Sequence, residues 1–188
     1  MRVRLWVVLL LATGLAATTA AQQTPSGQPQ DAMPGMSMSH SHAAWAKPDV
    51  PAGVLRIVFN GKSTDWSLAQ LAALPHTSIT VFNAHAKANQ TYSGIPLIDL
   101  LVKAGVPGDP HGRDLALYFA AIGSDGYIAA YAVAEANPLL HDGTILVADA
   151  LDGKPLTTQG PLMIVATGEK KPARWVRNLV EVKVQAAE

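Results

Sequence analysis

This chain has no cysteine. Without a thiol it can form no disulfide, thiolate nucleophile, thiol redox centre or thiolate metal site. Charge is scarce as well. Charged residues make up 15% of the 188, with 14 basic and 14 acidic. So even a balance leaves no electrostatic footprint for a nucleic-acid partner, whose phosphates call for clustered cations. Long apolar runs are also few. The one at the N-terminus, Leu5 to Ala17, is too short to cross a bilayer comfortably. What the chain does have is apolar material: hydrophobic residues are 49% of the total, enough for a core and too many for a disordered chain.

The N-terminus reads as a secretory leader. Arg2 and Arg4 precede the apolar run, and Thr19-Ala20-Ala21 supplies small residues for cleavage before Gln22 and Gln23. The expected product is periplasmic or secreted, with no membrane span once the leader is removed. A domain of this size can close a core without staples, so the missing disulfides are compatible with export.

Residues 22–53 are expected to form a linker rich in Gln, Pro, Ser, Gly, Met and Ala, with no sustained apolar period. Within it lie Met33, Met36, Met38, His40 and His42. Thioethers favour Cu(I), and imidazoles suit Cu(II), zinc or nickel. These five side chains are therefore a candidate copper-binding tract, and a low-complexity linker is the alternative.

From residue 54 onward the pattern is that of a mixed α+β domain with a predominantly β core. Val54 to Phe59 reads as a strand, followed by the turn signal Asn60-Gly61. Leu68, Leu71 and Ala72 predict a helix over Trp66 to Leu74, with Asp65 or Thr64 as N-cap and Pro75 as its stop. Thr77 to Phe82 and Gln90 to Tyr92 read as a hairpin. Pro96 to Ala104 reads as the clearest helix, with Pro96 at its first position and Gly105 at its end. Leu115 to Ile122 reads as a central strand covered on both faces, and Tyr127 to Tyr131 as the next. Ala132 to Asn137 allows a short helical turn. Thr144 to Ala148 and Leu162 to Ala166 read as strands, and Asp152-Gly153 as a hairpin turn. In the last strand, from about Leu179, Val180, Val182 and Val184 are expected on a buried face and Glu181, Lys183 and Gln185 on a wet one.

Four fragments stand in order: Tyr92-Ser93-Gly94-Ile95-Pro96-Leu97, Ser124-Asp125-Gly126-Tyr127, Gly160-Pro161-Leu162 and Arg174-Trp175-Val176-Arg177. Each is weak alone; the order carries the specificity. It resembles the molybdopterin-binding domain of the sulfite oxidase family, over roughly Val54 to Val184. The resemblance implies that family's fold, with the first motif opening a helix beside the cofactor and the last two bordering the pocket. It also implies a molybdenum-ligating cysteine just before the first motif. Here that segment is Val81 to Ala88, and its only good metal-binding side chain is His85. The family's strand after Gly-Pro often carries an arginine; here Met163 and Ile164 follow Leu162.

His85, Tyr127 and Arg174 are thus the candidate cofactor-binding residues. A guanidinium matches phosphate or carboxylate geometry, and a phenol at a strand start can line a cleft. Their structural alternatives are a hairpin-loop histidine, a turn residue and a surface ion pair. Lys170, Lys171 and Arg177 are further sources of positive charge. His76, His111 and His141 stand at no local metal-ligand spacing. No nucleophile, base and orienting group can be read together, and no catalytic residue is assigned.

The expected organisation is a leader over 1–21, a linker over 22–53 and a molybdopterin-binding-like domain over 54–188. The expected function is that of an exported domain without the molybdenum thiolate, binding a small anionic ligand or a periplasmic protein partner. The alternatives are an active molybdenum-cofactor oxidoreductase and copper handling through the Met/His tract.

Overall fold

The computed structural model describes residues 48–84 and 86–187. His85, the leader and the Met/His tract Met33, Met36, Met38, His40 and His42 lie outside the described residues. The described chain is mostly β-sheet with a few short helices, arranged in two sheets.

The first sheet begins with β1 (Val54–Phe59) and β2 (Lys62–Ser67), paired antiparallel. Asn60 and Gly61 between them both have positive φ, 50° and 73°, the geometry that lets a two-residue turn match strand twist. β2 corrects the expected helix over Trp66 to Leu74. Thr64 to Ser67 pair with Val54 to Ile57 instead, and Asp65 is bound by Arg56 in a two-point ion pair. The helix that remains, α1 (Leu68–Ala72), is capped by Ser67, not Asp65 or Thr64. The Ser67 hydroxyl accepts from the Gln70 N–H at 3.3 Å, and the Ser67 N–H donates to the Gln70 side chain at 2.8 Å.

The second sheet starts with the hairpin β3 (Thr77–Asn83) and β4 (Ala88–Pro96), in unbroken register. Gly94 in β4 faces the next strand so closely that a Cβ there would lie 2.1 Å from the Val147 carbonyl oxygen, which explains why this motif position is glycine. Pro96 is the N-cap of α2 (Leu97–Lys103), one position earlier than expected, and remains paired with Leu146. Gly105, at φ 98°, ends that segment. Leu97, Ile98, Leu100 and Leu101 are the buried face of α2.

Leu115 and Ala116 fall in a 3₁₀ turn, so β5 (Leu117–Gly123) starts later than predicted. It is buried along nearly its whole length and pairs with β6 (Ile128–Ala132), which leads into α3 (Val133–Ala136). β7 (Ile145–Leu151) returns to the second sheet, between β4 on one side and β8 (Lys154–Pro155) and β9 (Met163–Ala166) on the other. Asp152 and Gly153 form the β7–β8 turn, both at positive φ.

The last strand, β10 (Leu179–Ala186), enters the first sheet between β1 and β5, giving the order β2-β1-β10-β5-β6. Its pairing with β1 is parallel. The expected alternation fails at its start. A register shift between Leu179 and Glu181 leaves Val180 half-buried, whereas Leu179, Val182 and Val184 are buried. Residues from both sheets, α2 and α3 join one buried cluster.

Candidate functional site

The chain passes from β9 to β10 through a loop that builds the most chemically suggestive surface. After Ala166 the loop runs through Lys170 and Lys171 to a 3₁₀ turn, Pro172–Arg174, then Trp175 to Asn178. Trp175 is anchored from three directions. Its indole N–H donates to the Ala166 carbonyl at 3.1 Å, its ring meets Tyr92 edge-on with centroids 5.5 Å apart, and it is buried. Val176 accepts from the Ile164 N–H at 2.8 Å, tying the loop to β9. Nearby, the Asn178 carbonyl accepts from the Ser124 N–H at 2.9 Å, fixing the Ser124-Asp125-Gly126-Tyr127 turn against the loop.

The two motifs thereby meet. Asp125, Tyr127, Pro172, Ala173, Trp175 and Arg177 line an open cleft of about 280 Å³. The Asp125 carboxylate accepts from the Tyr127 N–H at 2.9 Å, an Asx turn, and Gly126 takes φ 86°. Tyr127 precedes β6 and does not begin it; its hydroxyl donates to the Ala173 carbonyl, so the ring is held across the cleft. Arg177 is exposed and has no ion pair or side-chain hydrogen bond among the described residues.

Arg174 goes elsewhere. Its guanidinium reaches Glu135 at 3.0 Å, bonds Glu169, donates to the Ala130 carbonyl at 3.2 Å and lies 4.3 Å from the centre of the Tyr131 ring. Hydrogen bonds that it donates to Glu135 and then Glu169, working against desolvation, raise its pKa further above the ordinary range. Burial pushes Tyr131 well above the usual phenol range, and its hydroxyl donates to the Arg174 carbonyl. Glu135 is pushed up by burial but brought net below its ordinary value by bonds from Arg174 and the Ala132 N–H. This group opens on a separate cleft of about 110 Å³, with His141, Gly143 and Thr167. The structure therefore does not bring Tyr127 and Arg174 to one cleft. The cation in the cleft with Tyr127 is Arg177, expected from the sequence only as a further source of positive charge. The acceptors that claim Arg174, at positions 135 and 169, carry no motif that would have marked them.

The other histidines are local ties. His111 Nδ1 faces the Asp109 carbonyl at 2.8 Å, and His141 Nδ1 accepts from the Gly143 N–H at 2.9 Å. His76 differs: Nδ1 faces the Leu74 carbonyl at 2.7 Å and Nε2 the Asp149 carboxylate at 2.8 Å. Both partners are acceptors, so the ring meets both only with two protons. The bond to Asp149 raises its pKa above the ordinary histidine value, against some desolvation.

The donor set does not fit the family's molybdenum. The chain supplies no thiolate, and among the described residues no three His, Asp or Glu side chains are grouped to hold a metal ion.

No family model matches this chain, and no curated protein matches it. Among solved structures, the crystal structure of the sulfane dehydrogenase SoxCD from Paracoccus pantotrophus is similar, with a TM-score of 0.54 at 20% identity. The match covers 72% of this chain and 39% of that one, so this chain corresponds to well under half of its neighbour. At that identity the likeness shows the fold alone: a distant sulfite-oxidase-like fold.

Proposed function

We propose that this chain is an exported, thiol-free ligand-binding domain, and that its ligand is a small anion taken in the cleft between the Asp125–Tyr127 turn and the Pro172–Arg177 loop. One observation carries the reading: Arg177 lines an aromatic cleft with no carboxylate paired to it among the described residues. An unpaired guanidinium beside two rings suits an anionic group joined to a planar or apolar body. Asp125 adds a constraint, because its carboxylate in the same cleft favours a ligand that also presents a hydrogen-bond donor. A phosphorylated pterin has all three features. Redox chemistry at molybdenum is not part of the proposal, since the metal would lack its protein thiolate.

Calorimetric titration of the exported chain with inorganic phosphate, with sulfite and with a phosphorylated pterin tests this. Binding that weakens about tenfold or more in Arg177→Gln is expected. Absence of binding, or binding indifferent to that substitution, overturns it. Stoichiometric molybdenum and pterin in protein purified from its native host would instead favour the active oxidoreductase.

The Met/His tract supports a second reading, copper handling. Three thioethers and two imidazoles within Met33 to His42 are a suitable mixed donor set. Deleting that segment should abolish copper binding by the exported chain; unchanged binding would exclude it.

A further inference from the structure

A sheet that does not close into a barrel has edges, and an open edge is a template for another strand. Most edges of this fold are blocked. β6 has its outer side occupied: Arg174 donates to the Ala130 carbonyl at 3.2 Å, and the Glu135 carboxylate accepts from the Ala132 N–H at 2.9 Å. β2 carries Lys62 and Asp65. β8 is two residues long, one of them Pro155. The loop after the Pro172–Arg174 turn lies along β9, through the Ile164-to-Val176 bond.

β3 has none of these devices. Among the described residues it ends its sheet and pairs only with β4. Its sequence, Thr-Ser-Ile-Thr-Val-Phe-Asn, has no charge, proline or glycine, and its seven residues exceed the usual strand length of about five or six. No bulge twists it away. From Thr77 to Phe82, no backbone hydrogen bond reaches its outer side among the described residues. Phe82 stands 63% exposed.

We infer that β3 is an interaction edge, and that its partner is β3 of a second copy of this chain, paired antiparallel about a two-fold axis at Thr80. The strand is self-complementary in that register. Thr80 faces its own image, Ile79 faces the partner copy's position 81, and Ser78 faces position 82. Branched apolar residues meet on one face of the sheet, and the Phe82 ring gains cover on the other. Thr80 already bonds Thr91 across β4 at 2.9 Å, so the pairing extends an existing threonine ladder across the axis. Without charge anywhere in β3, two copies meet without like-charge repulsion, whereas a charged strand would find nothing to answer it. A closed two-fold arrangement also consumes both edges and ends growth at two copies.

Sedimentation equilibrium of the exported full chain should give twice the chain mass. Thr80→Lys sets a cation against its own image and should weaken self-association about tenfold or more with little change in melting temperature. A wild-type monomer throughout, or a dimer indifferent to Thr80→Lys, overturns the proposal. The absence of cysteine allows a second test that does not depend on that variant folding. In the proposed register two copies of Thr80→Cys place their Cα atoms about 4.5–5.5 Å apart, within disulfide reach. Mild oxidation should cross-link Thr80→Cys faster than Ser63→Cys, on the charged edge strand β2. Equal rates overturn the proposal.

Discussion

Arg174 and Arg177 stand three positions apart around the same buried tryptophan, and they do opposite things. Arg174 is saturated: two carboxylates, a carbonyl and a ring hold it, and in doing so it seals the edge of β6. Arg177 lines a cleft with no such partners among the described residues. A guanidinium therefore binds a ligand only where the fold leaves its charge unspent. Residue type beside a motif does not decide this; the nearest carboxylate does.

The contrast can be broken from either side. The largest loss of stability is expected from Arg174→Ala, about 2 kcal/mol by urea denaturation, because two carboxylates and a strand carbonyl lose their donor; partial exposure limits the figure. A loss no larger than that of Arg177→Ala would erase the distinction.

Acid should reproduce part of that effect. The folded pKa of Glu135 lies below its ordinary value of 4.5, so its contribution is present above the unfolded pKa and is lost as pH falls through the folded one. Denaturation midpoints followed down to about pH 3 should decline, and the decline should flatten in Arg174→Gln. An equal slope in the variant would show that the pair carries no linkage.

Tyr131→Phe removes the hydroxyl that donates to the Arg174 carbonyl and should cost about 1 kcal/mol. In stability, the smallest effect is expected for Arg177→Gln, within about 0.5 kcal/mol, because that exposed side chain makes no ion pair or hydrogen bond among the described residues. Its consequence should be confined to the anion titration. A large destabilisation would reassign Arg177 to the scaffold.

Much of the fold was legible in the sequence because it rests on local chemistry. Asn60-Gly61, Asp152-Gly153, Pro96 and Gly105 each announce a backbone geometry, and the structure uses all four near the expected places. What failed was decided by partners outside the segment concerned. Thr64 to Ser67 lack a strand's apolar pattern and become one because β1 lies beside them. The Val180 irregularity depends on how β10 meets β5, which no window of sequence contains. The site divides the same way. The resemblance placed the Arg174-Trp175-Val176-Arg177 segment at the pocket border, but its meeting with the Asp125-Gly126-Tyr127 turn is visible only in the fold, where the Ser124 N–H donates to the Asn178 carbonyl. The exchange of roles between the two arginines depends on Glu135, which reaches Arg174 from the start of α3.

The parallel pairing of β1 with β10 has a kinetic consequence. β1 waits for β10 before its inner edge is filled, so the first sheet is completed only once β10 has been made. The hairpin β3–β4 can form early, and until β7 arrives it has two open sides. During that interval the apolar, uncharged edge strand β3 is the segment most in need of protection from aggregation.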